Sequence, residues 1–226
     1  MTTPELHEDV ARQIADLSID PDLPIVISDA DEVVLQFVAG LEAFLGAQSR
    51  PMFLDLTSFA LTGNIRYADT AEALDAVDVK ALLASFFEQR TEHLSPVPGA
   101  AEALAAISSR AQIVILSNVP IGQRDARQRS LQRHGMDFPV IANSGAKGPA
   151  VAQIVSDVMA PAFFLDDIPH NITSVAQASA DVVRMHFVAD PRLARLVDPP
   201  DDCHFHGGDW PTARAFIEVA LAERGY

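Results

Sequence analysis

Apolar positions along this chain fall into two kinds of run. Short unbroken runs rich in β-branched residues alternate with longer stretches in which apolar residues recur every three or four positions. The first kind reads as strands buried on both faces, the second as amphipathic helices. Pro24 to Ile27 predicts a strand that runs through Ser28 into Asp29. Glu32 to Ala47, with Val34, Phe37, Val38, Leu41, Phe44 and Leu45 on one face, predicts the helix that follows. Ahead of them, Glu5 to Leu17 spaces Leu6, Val10, Ile14 and Leu17 as a short helix, broken at Pro21 to Pro24. Further strands are predicted at Gln112 to Leu116, Phe138 to Ala142, Ala162 to Leu165 and Val182 to Val188. Helices are predicted at Ala100 to Ser108, Ile121 to His134, Ala150 to Met159 and Ile172 to Ala178. A last helix starts at Asp209 as N-cap, with Pro211 in its first turn, and runs to about Arg224.

Strands alternating with helices imply an α/β architecture, a Rossmann-like parallel sheet flanked by helices and joined by right-handed crossovers. The alternation stops between the first two strands. From Arg50 to about Leu94 the pattern gives helical stretches at Thr70 to Ala76 and Val79 to Arg90, linked by the polar segment Thr62 to Tyr67. Such an insert predicts a small helical cap over the strand ends. The expected division is a core of residues 1–34 and 96–226 and a cap of residues 35–95, with Pro96, Pro98 and Gly99 marking the return. Arg66 and Tyr67, on the polar link, are candidates to reach a ligand.

Composition narrows the partners. A formal net charge of −15 excludes the basic footprint that nucleic acid or an anionic membrane surface requires. No run is long enough to span a bilayer, and the acidic start of the chain lacks the apolar stretch of a signal peptide. The single cysteine, Cys203, cannot form an internal disulfide. A cytoplasmic enzyme or binding protein is expected. Of sixteen basic residues only Lys80 and Lys147 are lysines.

Candidate chemistry collects at the strand ends, where open α/β sheets bind ligands. Asp29 and Asp31 follow the first strand at a spacing that aims both carboxylates into one crevice. Burying two like charges together requires a metal or a lysine nearby, although an Asp after a strand also serves as a turn former or helix cap. Ser117 and Asn118 follow the second strand, Lys147 lies in the loop after the third, and Asp166 with Asp167 follow the fourth. The arginines of the 121–134 helix, Arg124, Arg127, Arg129 and Arg133, read as a solvated face outside the site. Cys203, His204 and His206 lack the paired spacing of a zinc site. Of the scattered histidines, His170 is the one placed to line the crevice.

Taken in order, Asp29 with Asp31, Ser117 with Asn118, Lys147, and Asp166 with Asp167 resemble the four motifs of the haloacid dehalogenase superfamily. The resemblance runs from Ile25 to Val188. It implies a hydrolase with a haloacid dehalogenase-like core and a cap, most relatives being phosphatases or phosphoryl transferases. Asp29 matches the nucleophile that forms an aspartyl-phosphate. Asp31 matches the general acid and base that phosphatases of the family keep and dehalogenases do not. Ser117 and Lys147 would hold the phosphoryl group, with Asn118 beside them. Mg²⁺ would bind the Asp29 carboxylate, the Asp31 carbonyl and Asp167, with Asp166 acting through water. The implied substrate is a small phosphorylated metabolite. Alternatives on the same scaffold are a non-catalytic phosphate- or protein-binding protein, a phosphomutase, or a phosphonate hydrolase, whose cap lysine would have to be Lys80. Two positions depart from the family pattern: Glu32 stands where glycine is usual, and Gly148 separates Lys147 from Pro149.

Overall fold

The computed structural model describes residues 6–226. Glu5, the expected start of the first helix, lies outside the described residues, and α1 spans Glu8–Ala15. The chain continues through β1 (Ile25–Ser28), α2 (Phe37–Gly46), β2 (Met52–Leu54), β3 (Ile65–Tyr67) and α3 (Ala76–Arg90). It then forms α4 (Ala100–Ile107), β4 (Gln112–Ser117), α5 (Arg124–Arg133), β5 (Val140–Ala142) and α6 (Gly148–Ile154). Last come β6 (Ala162–Asp166), α7 (Pro169–Ala178), β7 (Val183–Phe187), β8 (Phe205–Gly207) and α8 (Trp210–Ala222).

Among the described residues, six strands form one parallel sheet in the order β5-β4-β1-β6-β7-β8. Strand β1 lies inside it, with Ser28 opposite Ile115 on one side and Leu165 on the other. Chain order reverses across β1, so the ends of β1, β4 and β6 open the crevice in which such sheets bind ligands. Ile25, Val26 and Ile27 are fully buried, and their side chains alternate between the two layers. Ile25 and Ile27 pack with Val10, Ile154 and Ile172 of α1, α6 and α7. Val26 packs with Leu104, Ile217 and Trp210 of α4 and α8. This two-sided burial is why these strands read as unbroken apolar runs.

The insert between β1 and β4 differs from the helical cap expected of it. It holds α2, an antiparallel β2–β3 hairpin with Met52 opposite Tyr67, and α3. Each hairpin strand is three residues long, so the alternation of buried Met52, exposed Phe53 and buried Leu54 is too brief to stand out as a period. The predicted helix at Thr70 to Ala76 is absent. Ala71 adopts a φ of 59°, Ala73 bridges Arg66, and Leu74 N–H donates to Ile65 O, so this stretch extends the hairpin. Helix begins only at Ala76, where the Asp75 carboxylate accepts from Asp78 N–H at 2.8 Å. The two connections between insert and core pair with each other: Gln36 N–H donates to Ser95 O and Val97 N–H to Val34 O. One apolar cluster crosses them, joining Phe44, Phe86 and Leu54 of the insert to Val34, Leu104 and Phe163. Strand β8, parallel to β7, was also not expected.

Candidate active site

The end of β1 delivers Asp29, whose N–H donates to Leu165 O at 2.8 Å and locks the residue beside β6. Lys147 arrives just before α6. The Gly148 that separates it from Pro149 has a reason: a Cβ there would come within 2.3 Å of Ser174 O, so glycine lets α6 and α7 touch. Fully buried Lys147 places Nζ 2.6 Å from Asp29 Oδ1 and 2.6 Å from Asp166 Oδ2. The contact to Asp166 is a hydrogen bond; the contact to Asp29 is an ion pair without hydrogen-bond alignment, which leaves Oδ1 unbonded.

Carboxylate oxygens of Asp29, Asp166 and Asp167 lie within 4.8 Å of one another, the one such acid, histidine or cysteine group among the described residues. The two neighbours from β6 differ in their engagements. Asp166 is saturated: Oδ2 accepts from Lys147, and Oδ1 accepts from Ile168 N–H and from Asn171 Nδ2, each at 2.9 Å. The Asp167 carboxylate accepts no hydrogen bond from the described residues and faces the crevice. Its carbonyl is held instead, by His186 Nε2–H at 2.8 Å.

Three buried carboxylates share one ammonium, and the electrostatics follow from that count. The Asp29 carboxyl is raised to about 7: burial pushes it up, Lys147 pulls it down, and Asp166 and Asp31 push it up again. Asp167 is raised by burial first, then by Asp166 and Asp29. For Lys147, burial opposes the charge, but Asp166 and Asp29 outweigh it and hold the group above the usual lysine value. A hard-oxygen cluster carrying this excess of negative charge fits a divalent cation such as Mg²⁺.

Asp31 is placed beside Asp29 and lines the same cavity, yet its carboxylate is gripped from an unexpected side. Arg127 Nη2 donates to Asp31 Oδ1 at 2.7 Å and to Oδ2 at 2.9 Å. Arg127 is fully buried, so the reading of α5 as a solvated arginine face is corrected for this residue. Arg129 and Arg133 do face outward and pair with Glu92, while half-buried Arg124 donates to Val140 O at 2.8 Å. A signal for the difference was present, since Arg127 sits four residues before buried Leu131 on one helix face.

Glu32 occupies the place where a glycine was expected and keeps a glycine-like φ of 59°. Its buried carboxylate accepts from Val38 N–H at 2.6 Å and from Asp190 N–H at 3.1 Å. It thereby caps α2, whose own N-cap side chain makes no bond, and ties it to the loop after β7. Burial raises its carboxyl to about 7, partly opposed by the bond from Val38.

Other expected residues are placed as follows. Ser117 ends β4 with a fully buried hydroxyl that has no partner among the described residues. Asn118 lines the cavity, but its amide joins two loops, accepting from Asn143 at 2.8 Å and donating to Gly145 O at 3.0 Å. His170 is exposed and lies outside the cavity; the neighbouring Asn171, not anticipated, lines it instead. Arg66 and Tyr67 do not reach the cavity: Arg66 pairs with Asp55 and the ring of Tyr67 stacks under Arg50. Lys80 is exposed on α3. Cys203, His204 and His206 form no metal cluster, and His204 Nδ1 accepts from Arg184 N–H.

No protein-family model matches the sequence, and comparison with curated proteins gives no match. Solved structures do match, over most of the chain. A haloacid dehalogenase-like family hydrolase from Streptococcus pneumoniae aligns with TM-score 0.59 at 12% identity, covering 86% of this chain and 98% of that one. A HAD family hydrolase from Deinococcus radiodurans R1, with bound phosphate and sodium, aligns with TM-score 0.57 at 15% identity over 89% and 98%. An L-2-haloacid dehalogenase from Xanthobacter autotrophicus aligns with TM-score 0.54 at 12% identity over 87% and 98%. The chain therefore has the haloacid dehalogenase-like fold, as its motif order implied.

Proposed function

We propose that this protein is a Mg²⁺-dependent phosphatase that hydrolyses a small phosphate monoester through a phosphorylated Asp29. The observation that carries this reading is the buried cluster of Asp29, Asp166 and Asp167 around Lys147, with Asp31 two residues beyond the nucleophile. Asp29 attacks phosphorus through a carboxylate oxygen while Asp31 gives a proton to the leaving oxygen; Asp31 then takes a proton from the water that cleaves the acyl phosphate. The unpartnered Ser117 hydroxyl donates to a phosphoryl oxygen, and Lys147 offsets charge on the phosphoryl group and on Asp29. Asn118 holds the loops at the rim of this pocket. Mg²⁺, held by Asp29, the Asp31 carbonyl and Asp167, with Asp166 fixing Lys147 behind them, would supply positive charge to the transferring group. Phosphate bound in the Deinococcus protein of the same fold supports this reading.

Dehalogenases share the fold, but a halide expelled here would leave among the carboxylates of Asp31, Glu32 and Asp167. Exposed Lys80 is likewise poorly placed for a phosphonate hydrolase. The test is phosphate release from aryl and alkyl phosphates, and halide release from 2-haloalkanoates, with and without Mg²⁺. Phosphate release that depends on Mg²⁺ and falls by at least about 10³-fold in Asp29→Asn, with the variant still folded by circular dichroism, is expected. Halide release, or an Asp29→Asn protein near the wild-type rate, would overturn the proposal.

A further inference from the structure

We infer that the substrate of this site carries an apolar leaving group: a phosphate monoester of a short-chain or single-ring alcohol or phenol, and not a sugar phosphate or nucleotide. The inference rests on the phosphatase reading above. Above Asp29, Asp31, Asp167 and Lys147 lies a cavity of about 310 Å³, at the small end of small-molecule pockets. The wall facing the carboxylates is hydrocarbon: Phe37 opens α2, Phe87 comes from α3, Leu56, Phe59 and Leu61 come from the β2–β3 loop, and Leu193 closes one side.

Polar groups at the cavity are confined to its floor and rim, and most are already engaged. The Asn118 amide is engaged with Asn143 and Gly145, and the Asn171 amide donates to Asp166. Glu32 is taken by Val38 and Asp190. Among the described residues Lys147 is the one cation in the lining, and it is committed to Asp29 and Asp166. A sugar's hydroxyls would be buried against this wall without partners, and a second anionic group would meet hydrocarbon or carboxylates.

The wall is also built to keep its shape. Fully embedded in the hairpin loop, the Asn64 amide donates to Ser58 O and to Ala60 O, both at 2.7 Å, and its oxygen accepts from Thr57 Oγ1 at 3.0 Å. Phe37 and Phe87 pack with ring centroids 6.0 Å apart. Leu56, Phe59 and Leu61 stay only partly buried, as side chains facing an open cavity do.

The experiment measures kcat/KM with Mg²⁺ for ethyl, butyl and hexyl phosphate, phenyl phosphate, glycerol phosphate, glucose 6-phosphate and AMP. The expected result is a rise of about fourfold per methylene through the alkyl series, with the three polar substrates at least about 10²-fold below hexyl phosphate. In Phe59→Ser the dependence on chain length should flatten, mainly through KM. Turnover of the panel with no chain-length dependence, or with a preference for the sugar phosphate or AMP, overturns the inference while leaving the phosphatase reading in place. No turnover of any member overturns both.

Discussion

Glu32 holds a backbone angle that side chains avoid, because in the left-handed region Cβ crowds the next carbonyl oxygen at a cost of about 1–2 kcal/mol. Its carboxylate offsets that cost by accepting the two N–H groups of Val38 and Asp190. These opposing effects predict an inverted ranking. Glu32→Ala keeps the strained angle and loses both bonds, whereas Glu32→Gly loses the bonds but relaxes the angle. Both variants should be less stable than wild type by about 1–3 kcal/mol, yet the glycine variant should exceed the alanine one by about 1 kcal/mol. Urea melts of the three proteins decide it, and an alanine variant as stable as the glycine one would refute a held angle. In sequence, Glu32 is visible as a departure from a motif, but its job is not. Its two donors lie 6 and 158 residues away, and only the folded loop after β7 brings the second within reach. Asp29, Lys147 and Asp166 were legible for the opposite reason, since each follows directly from where a readable strand or loop ends.

Elements buried on both faces were the legible ones: β1, β4 and β6 are continuous apolar runs because helices cover both sides of the sheet. The hairpin strands and β8 were not: they are as short as β5 but partly exposed, so they lack the unbroken apolar run that marks it. Helix α5 was found but its faces were misjudged: a charged side chain counts as solvated in any pattern, and Arg127 is buried only because Asp31 reaches it from β1's following turn. This pairing assigns α5 a task in positioning Asp31. Arg127→Met should slow hydrolysis of an alkyl phosphate by about 10²-fold, the usual worth of a well-placed general acid. With 2,4-dinitrophenyl phosphate, whose leaving group departs without a proton, kcat/KM, which reports only the steps up to release of that group, should change little in the same variant. Equal losses on both substrates would assign Arg127 to packing alone.

Across the whole molecule, the site is drawn from segments at residues 29–32, 117–118, 147 and 166–167, which meet only when the parallel sheet is complete. Three carboxylates confined there repel one another in the folded state and not in the unfolded chain, so a cation that binds them should stabilise the entire fold. At about 100 times its dissociation constant, Mg²⁺ would add about 2.7 kcal/mol, a rise in Tm of about 5–10 °C. Differential scanning calorimetry measures the shift, and Asp167→Asn, which removes the carboxylate without other bonds, should abolish it. A wild-type Tm indifferent to Mg²⁺ would remove the ion from this site. The packing of α8 adds a practical consequence. The chain has one tryptophan, Trp210, and its buried indole N–H donates to Val33 O at 2.8 Å, on the turn that follows Asp31 and Glu32. Its emission therefore reports on that turn, and a change in its colour or intensity on adding Mg²⁺ to the unlabelled protein would show the turn responding to occupancy of the crevice.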